Sequence, residues 1–154
     1  MGKAMFYHLT QSTLEATART LLVRALDQGW RVALRGRERG LLERLDLALW
    51  TDDKAGFLPH GLAGGPHDAD QPVLLTTEDH APNGACCVMA VDRAPITPDE
   101  VTTLERLWVL FDGQDETALQ TARRDWKAMT AAGVLAEYWS EEGGRWEKKA
   151  QSGS

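Results

Sequence analysis

With 154 residues, 43% hydrophobic and 26% charged, the chain has enough apolar material to bury a substantial core as an ordinary globular protein. A net charge of −6 excludes bulk attraction to nucleic-acid phosphate, so any contact with a polynucleotide needs a local basic patch. No apolar run approaches the roughly 20 residues of a membrane span, and the opening residues lack the three-part form of a signal peptide, which predicts a cytoplasmic protein.

Residues 4–9, Ala-Met-Phe-Tyr-His-Leu, predict a buried first strand. Ser12 or Thr13 caps a helix in which Leu14, Ala18, Leu21, Leu22, Ala25 and Leu26 recur at helical spacing, and Gly29 closes it. Residues 30–34 predict a second strand and residues 36–40 a loop. Residues 41–50 form a second amphipathic helix, with Leu41, Leu42, Leu45, Leu49 and Trp50 as its apolar members. Strand alternating with helix implies crossovers and a mainly parallel sheet covered on both faces. Residues 51–71 lack periodicity and are long for a loop; Phe57, Leu58 and Leu62 within them predict an ordered segment that packs or binds.

Residues 72–76 and 85–91 predict the third and fourth strands, the latter a continuous apolar run typical of a central parallel strand. Its adjacent Cys86 and Cys87 close no loop and are expected as two thiols on opposite faces. Thr97-Pro98-Asp99-Glu100 starts a short helix reaching to about Leu104. Residues 107–111 are a fifth strand, Asp112-Gly113 turns the chain, and residues 117–133 form the last helix, closed by Gly133. Residues 134–139 suit an edge strand. Residues 141–154 are polar and predict a frayed tail, leaving residues 1–140 as a single α/β domain.

Nucleotide and enzyme chemistry find little support. The turn after the first strand, Leu9-Thr10-Gln11-Ser12-Thr13, has no glycine to bring backbone amides onto a pyrophosphate, and no phosphate-loop motif occurs. His67, Asp68 and Asp70, like Glu78, Asp79 and His80, lack metal-ligand spacing. Ser12 and Ser140 do not sit in a nucleophile elbow. No cofactor, metal or enzyme class is indicated.

The last helix concentrates Arg123, Arg124 and Lys127 around Trp126 in an otherwise acidic chain. Arg123 and Lys127 are four residues apart and share a face, with Trp126 beside them. A cationic rim on an apolar floor suits an acidic peptide ending in an aromatic residue and a free carboxylate. It also suits a base stacked over a phosphate, or a plain core stripe of Leu119, Ala122, Trp126 and Met129 under a solvated face. Trp50, Phe57 and Leu62 form a second apolar group, either a partner surface or a small core under the long loop. Arg35, Arg37 and Arg39 read as a solvated loop.

Several stretches taken in order carry a resemblance. Phe6-Tyr7-x-Leu9 opens the chain, and Gly29-Trp30-Arg31-Val32 leads the second strand. Leu45-Asp46-x-x-Leu49-Trp50 is followed by Phe57-x-Pro59-His60, and Trp126-Lys127-Ala128 precedes Gly133. From Met5 to Tyr138 the chain resembles the chi subunit family of the bacterial DNA polymerase III holoenzyme. The resemblance implies a Rossmann-like three-layer α/β sandwich without a working nucleotide site. It also implies a non-catalytic adaptor that joins the clamp loader to single-stranded DNA-binding protein (SSB) by gripping the acidic SSB C-terminal tail, which ends in phenylalanine. Single-stranded DNA is then met only through SSB.

The family's tail-binding positions fall on Arg123, Trp126 and Lys127, with Arg124 and Phe111 adjoining. The aromatic is commonly tyrosine in relatives; tryptophan keeps the flat apolar surface and loses the hydroxyl. The family's second interface, for the psi subunit or a helicase, falls on Trp50 and Phe57, with Leu62 adjoining. The alternatives are a nucleotide- or small-molecule-binding enzyme of the same fold, and direct single-stranded DNA binding by the basic helix, which the net charge disfavours.

Overall fold

Short apolar runs that bury side chains on both faces assemble into a parallel sheet when helices connect them. The strands are β1 (Lys3–Leu9), β2 (Val32–Arg35), β3 (Gly61–Leu62), β4 (Val73–Thr76), β5 (Cys87–Ala90), β6 (Arg106–Asp112), β7 (Ala136–Ser140) and β8 (Glu147–Ser152). The helices are α1 (Leu14–Asp27), α2 (Arg39–Thr51), α3 (Pro98–Val101) and α4 (Glu116–Ala131). The structure is a computed structural model that describes residues 2–51 and 58–153. Its eight strands form one sheet in the order β3-β4-β2-β5-β6-β1-β7-β8, parallel except for the antiparallel β7–β8 pair. No described helix is long and apolar enough to cross a membrane.

Alternation along the strands sorts the core into two layers. Tyr7 and Leu9 of β1 and Trp108 and Leu110 of β6 pack with Leu21 and Leu22 of α1 and Leu42, Leu45 and Leu49 of α2. Ala4 and Phe6 of β1 and Leu107, Val109 and Phe111 of β6 turn the other way, against Ala118, Ala122 and Met129 of α4 and Val101 of α3. The result is the three-layer, mainly parallel α/β sandwich expected from the sequence.

Local chemistry sets the helix ends. The Thr13 hydroxyl accepts from the Ala16 N–H at 3.1 Å, and the Asp115 carboxylate accepts from the N–H groups of Thr117 and Ala118 at 3.0 and 3.3 Å. Thr97 and Glu100 form a reciprocal capping box with Pro98 in the first turn of α3. Gly133 leaves α4 with φ of 75°, a conformation that glycine adopts without steric cost. Buried Arg19 of α1 donates to the Leu49 carbonyl and ties α1 to the end of α2.

Three expectations change, and the long loop gains short ordered elements. Residues 141–154 do not all fray: Glu147–Ser152 pair with β7 as β8, so β7 lies inside the sheet and β8 is its edge. Charged Lys148 and Lys149 on that strand disguised it as a solvated tail, although edge strands often carry lysine for solubility. Arg35 is not a loop residue: it ends β2 with its side chain buried, donating to both Glu100 carboxylate oxygens at 3.3 and 2.9 Å and to the Pro95 and Asp79 carbonyls. Arg37 and Arg39 are exposed. Cys87 is buried and half-buried Cys86 packs against the same core layer, so the pair does not straddle the sheet. Of residues 51–71, the described part holds β3 and a 3-10 turn at Asp68–Asp70, while Phe57 lies outside the described residues.

Candidate functional site

Strand register builds an aromatic cluster beneath α4. Phe6 lies beside Tyr138 across the β1–β7 pair, and His8 lies beside Phe111 across the β1–β6 pair. All four point toward α4 because they share one parity along their strands. Trp126 comes down from α4 and meets Phe6 and Tyr138 edge-on, with ring centroids 5.4 and 5.7 Å away. His8 stacks on Phe111 at 5.2 Å, and its Nδ1 shares a 3.2 Å hydrogen bond with the Tyr138 hydroxyl. Gly113 is packed so close to the His8 ring and the Leu9 carbonyl that any side chain there would displace the histidine.

The cations ride above this floor. Arg123, Arg124 and Lys127 are exposed, while Trp126 is half-buried. Burial raises the Tyr138 phenol above its ordinary pKa, and the Arg123 charge pulls against that rise, so Arg123 acts electrostatically on the cluster. Trp126 is therefore both part of the core margin and part of the surface: the stripe and site readings describe two sides of one ring. Phe111 is buried under His8 and supports the floor instead of facing solvent. His8 and Tyr138 were missed as site residues in the sequence. Their even spacing from Phe6 and Ala136 was the available signal, but only the register of β1 with β6 and β7 makes them neighbours.

The second group sits at the far end of the sheet, on α2. Trp50 is 45% exposed and Leu47, one turn earlier, is 63% exposed, so two large apolar side chains of α2 face solvent. Trp50 lies over the His60 ring at 4.1 Å. The ring of buried His60 lies with Nδ1 2.7 Å from the Leu58 carbonyl and Nε2 3.1 Å from the Asp46 carbonyl, held between the two under the indole. Leu62 is half-buried on β3. Leu47 was not singled out from the sequence, because its helical phase alone does not say whether another element covers it.

A cavity of about 380 Å³ opens at the carboxyl ends of β1 and β6, the place where doubly wound sheets hold nucleotides. Asp92, Asp112 and Asp115 line it against one cation, Arg93, a charge balance that repels phosphate. Three amides of the turn after β1 already have an anion. The N–H groups of Thr10, Gln11 and Ser12 donate to the Glu141 carboxylate at 3.0, 3.0 and 2.8 Å, and the Ser12 hydroxyl donates at 2.7 Å. Burial opposes ionisation of Glu141, but these hydrogen bonds outweigh it and hold its pKa below the ordinary value. A carboxylate from the chain itself thus stands where a phosphate would bind. Among the described residues no cluster of histidine, cysteine and carboxylate side chains is arranged to hold a metal ion.

The architecture is that of a Rossmann-like α/β protein whose anion-binding turn is self-occupied and whose aromatic-cationic surface lies on a flanking helix. The chain belongs to the DNA polymerase III chi subunit family: the family described as "DNA polymerase III chi subunit, HolC" matches residues 1–137. It is also 35% identical over 54 residues to "Probable DNA polymerase III subunit chi" of Rickettsia prowazekii (strain Madrid E). That match covers 35% of this chain and 33% of the relative, so the matched stretch spans about a third of the relative's length. The family is one of accessory subunits of a DNA-replicating polymerase, as the sequence motifs led us to expect.

Proposed function

We propose that this chain is a non-catalytic, cytoplasmic adaptor of the replicative polymerase that links the clamp-loader complex to SSB by binding the acidic SSB C-terminal tail. The observation that carries this reading is the placement of Arg123 and Lys127 around the half-buried Trp126, above the Tyr138–His8–Phe111 floor. A terminal carboxylate between the two cations gains charge-assisted hydrogen bonds. A terminal phenylalanine ring laid against Trp126 gains roughly 1.5–3 kcal/mol from apolar burial, before the cost of ordering the peptide. Acidic residues upstream of that terminus see the exposed Arg124 and the rest of the α4 rim. Trp50 and Leu62, with Phe57, serve the clamp-loader side, through a psi-like subunit or a helicase in its place. Single-stranded DNA is reached through SSB.

Fluorescence anisotropy with a labelled SSB tail peptide tests the assignment. Arg123→Ala and Lys127→Ala are each expected to weaken binding about tenfold or more, since a hydrogen bond to a charged group contributes roughly 1.5–3 kcal/mol. Both residues are exposed, so the fold should survive. Unchanged affinity in both variants would remove the tail from this helix.

A further inference from the structure

One face of the sheet is incompletely covered. On the side that carries α1 and α2, residues of β1 and β7 point into a trough that runs along α1. Two adjoining cavities, of about 420 and 490 Å³, make up this trough and share Met5, Tyr7, Leu21 and Arg24 as walls. The first continues to Trp139 and Trp146 and the second to Trp30, Trp108 and Arg106. Met5, Trp30, Trp139 and Trp146 are only half-buried. Parallel strands ordinarily have helices over both faces, so a trough floored by large apolar side chains is the position of a missing layer element. It follows β1, whose seven residues extend about 23 Å, the length of roughly four helical turns.

The trough differs in charge from the acidic molecule around it. Its charged walls are Arg24 and Arg106 against Asp27. Arg24 is exposed and makes no ion pair among the described residues, while Arg106 lies over the Trp30 ring at 5.4 Å. Glu137, the nearest carboxylate on β7, is already neutralised by Lys3 at 3.3 Å and accepts from the Trp139 indole N–H at 3.0 Å. Among the described residues the Tyr7 hydroxyl has only the Met5 sulfur, at 4.0 Å, as a side-chain partner. Trp146 meets Tyr7 edge-on at 5.3 Å, so these rings form walls and not parallel platforms for stacked bases.

We propose that this trough is a docking site for an acidic amphipathic helix of a partner protein. The helix seats its apolar face on Met5, Tyr7, Trp139 and Trp146 and sets its flanking carboxylates on Arg24 and Arg106. The site is separate from α4, which lies on the opposite face of the sheet, and from Trp50.

The probe is a labelled four-turn amphipathic peptide with leucine and phenylalanine on one face and glutamate along both flanks, compared with the same peptide carrying lysine in place of glutamate. The glutamate peptide should bind and quench tryptophan fluorescence, and the lysine peptide should bind at least tenfold more weakly. Arg24→Glu should reverse that preference. Ala16→Arg, which plugs the trough from an exposed position on α1, should abolish binding without touching the core. Equal binding of the two peptides, no binding of the glutamate peptide, or full binding to both variants would overturn the proposal. Competition by an SSB tail peptide would move the site to α4, and competition by an oligothymidylate would make it a nucleic-acid site. Sedimentation showing a dimer that Arg24→Glu dissociates would make the occupant a second copy of the chain. Each of these three outcomes also overturns the helix proposal.

Discussion

Glu141 follows β7 directly, and its carboxylate holds the turn that follows β1, the neighbouring parallel strand. Three amides and one hydroxyl converge on this buried carboxylate, so removing its charge weakens four charge-assisted hydrogen bonds at once. Glu141→Gln is expected to destabilise the protein by about 1–3 kcal/mol at neutral pH, measured by urea unfolding. Because the folded-state pKa of this carboxyl is depressed, its stabilisation is fully present above the unfolded value of roughly 4.3 and disappears as pH falls through the folded value. The difference between wild type and variant should therefore shrink as pH is lowered below about 4, and a gap that stays constant to pH 3 would show that the charge contributes nothing. Arg35 illustrates the same scale. Three arginines at alternate positions look equivalent in sequence, yet one is the buried end of β2 held by Glu100 while Arg37 and Arg39 are exposed.

At the scale of elements, β8 does more than extend the sheet. It satisfies the outer edge of β7, the strand that carries Tyr138 on one face and Trp139 on the other. The turn leading into it delivers Trp146 to the Tyr7 ring. Ending the chain after Glu142 keeps the Glu141 anchor but opens the β7 edge and removes that aromatic contact. The expected loss is about 2 kcal/mol, or roughly 5 °C in Tm for a chain of this size, read by differential scanning calorimetry. Tail-peptide affinity should fall as well, because the Tyr138 floor loosens; an unchanged Tm would mean that β7 holds its place without β8. The α4 helix shows the complementary behaviour. Its capping by Asp115, its closing Gly133 and its apolar stripe are local, and the sequence places it within a residue or two of Glu116–Ala131.

At the scale of the whole molecule, the α4 surface and the α2 surface lie on opposite layers and toward opposite ends of the strand order. Sites so separated act independently. Trp50→Ala is expected to lose capture of the clamp-loader complex while tail-peptide affinity stays within twofold, and Arg123→Ala to do the reverse. Loss of both activities in the Trp50 variant, with its melting temperature intact, would join the two surfaces into one. Much of this arrangement was legible in the linear chain. Strand–helix alternation, the capping residues and the continuous apolar runs specify the three-layer sandwich, because each depends on interactions between residues close in sequence. The cation–tryptophan grouping on α4 is likewise a matter of helical spacing. What the tertiary structure alone decided are contacts between distant residues: Tyr138 and His8 as the floor under Trp126, Glu100 as the partner of Arg35, Glu141 in the amide turn, and a polar run paired as an edge strand. Strand order and register set each of these, and they follow from how whole elements pack; no stretch of sequence records which strand will lie beside it.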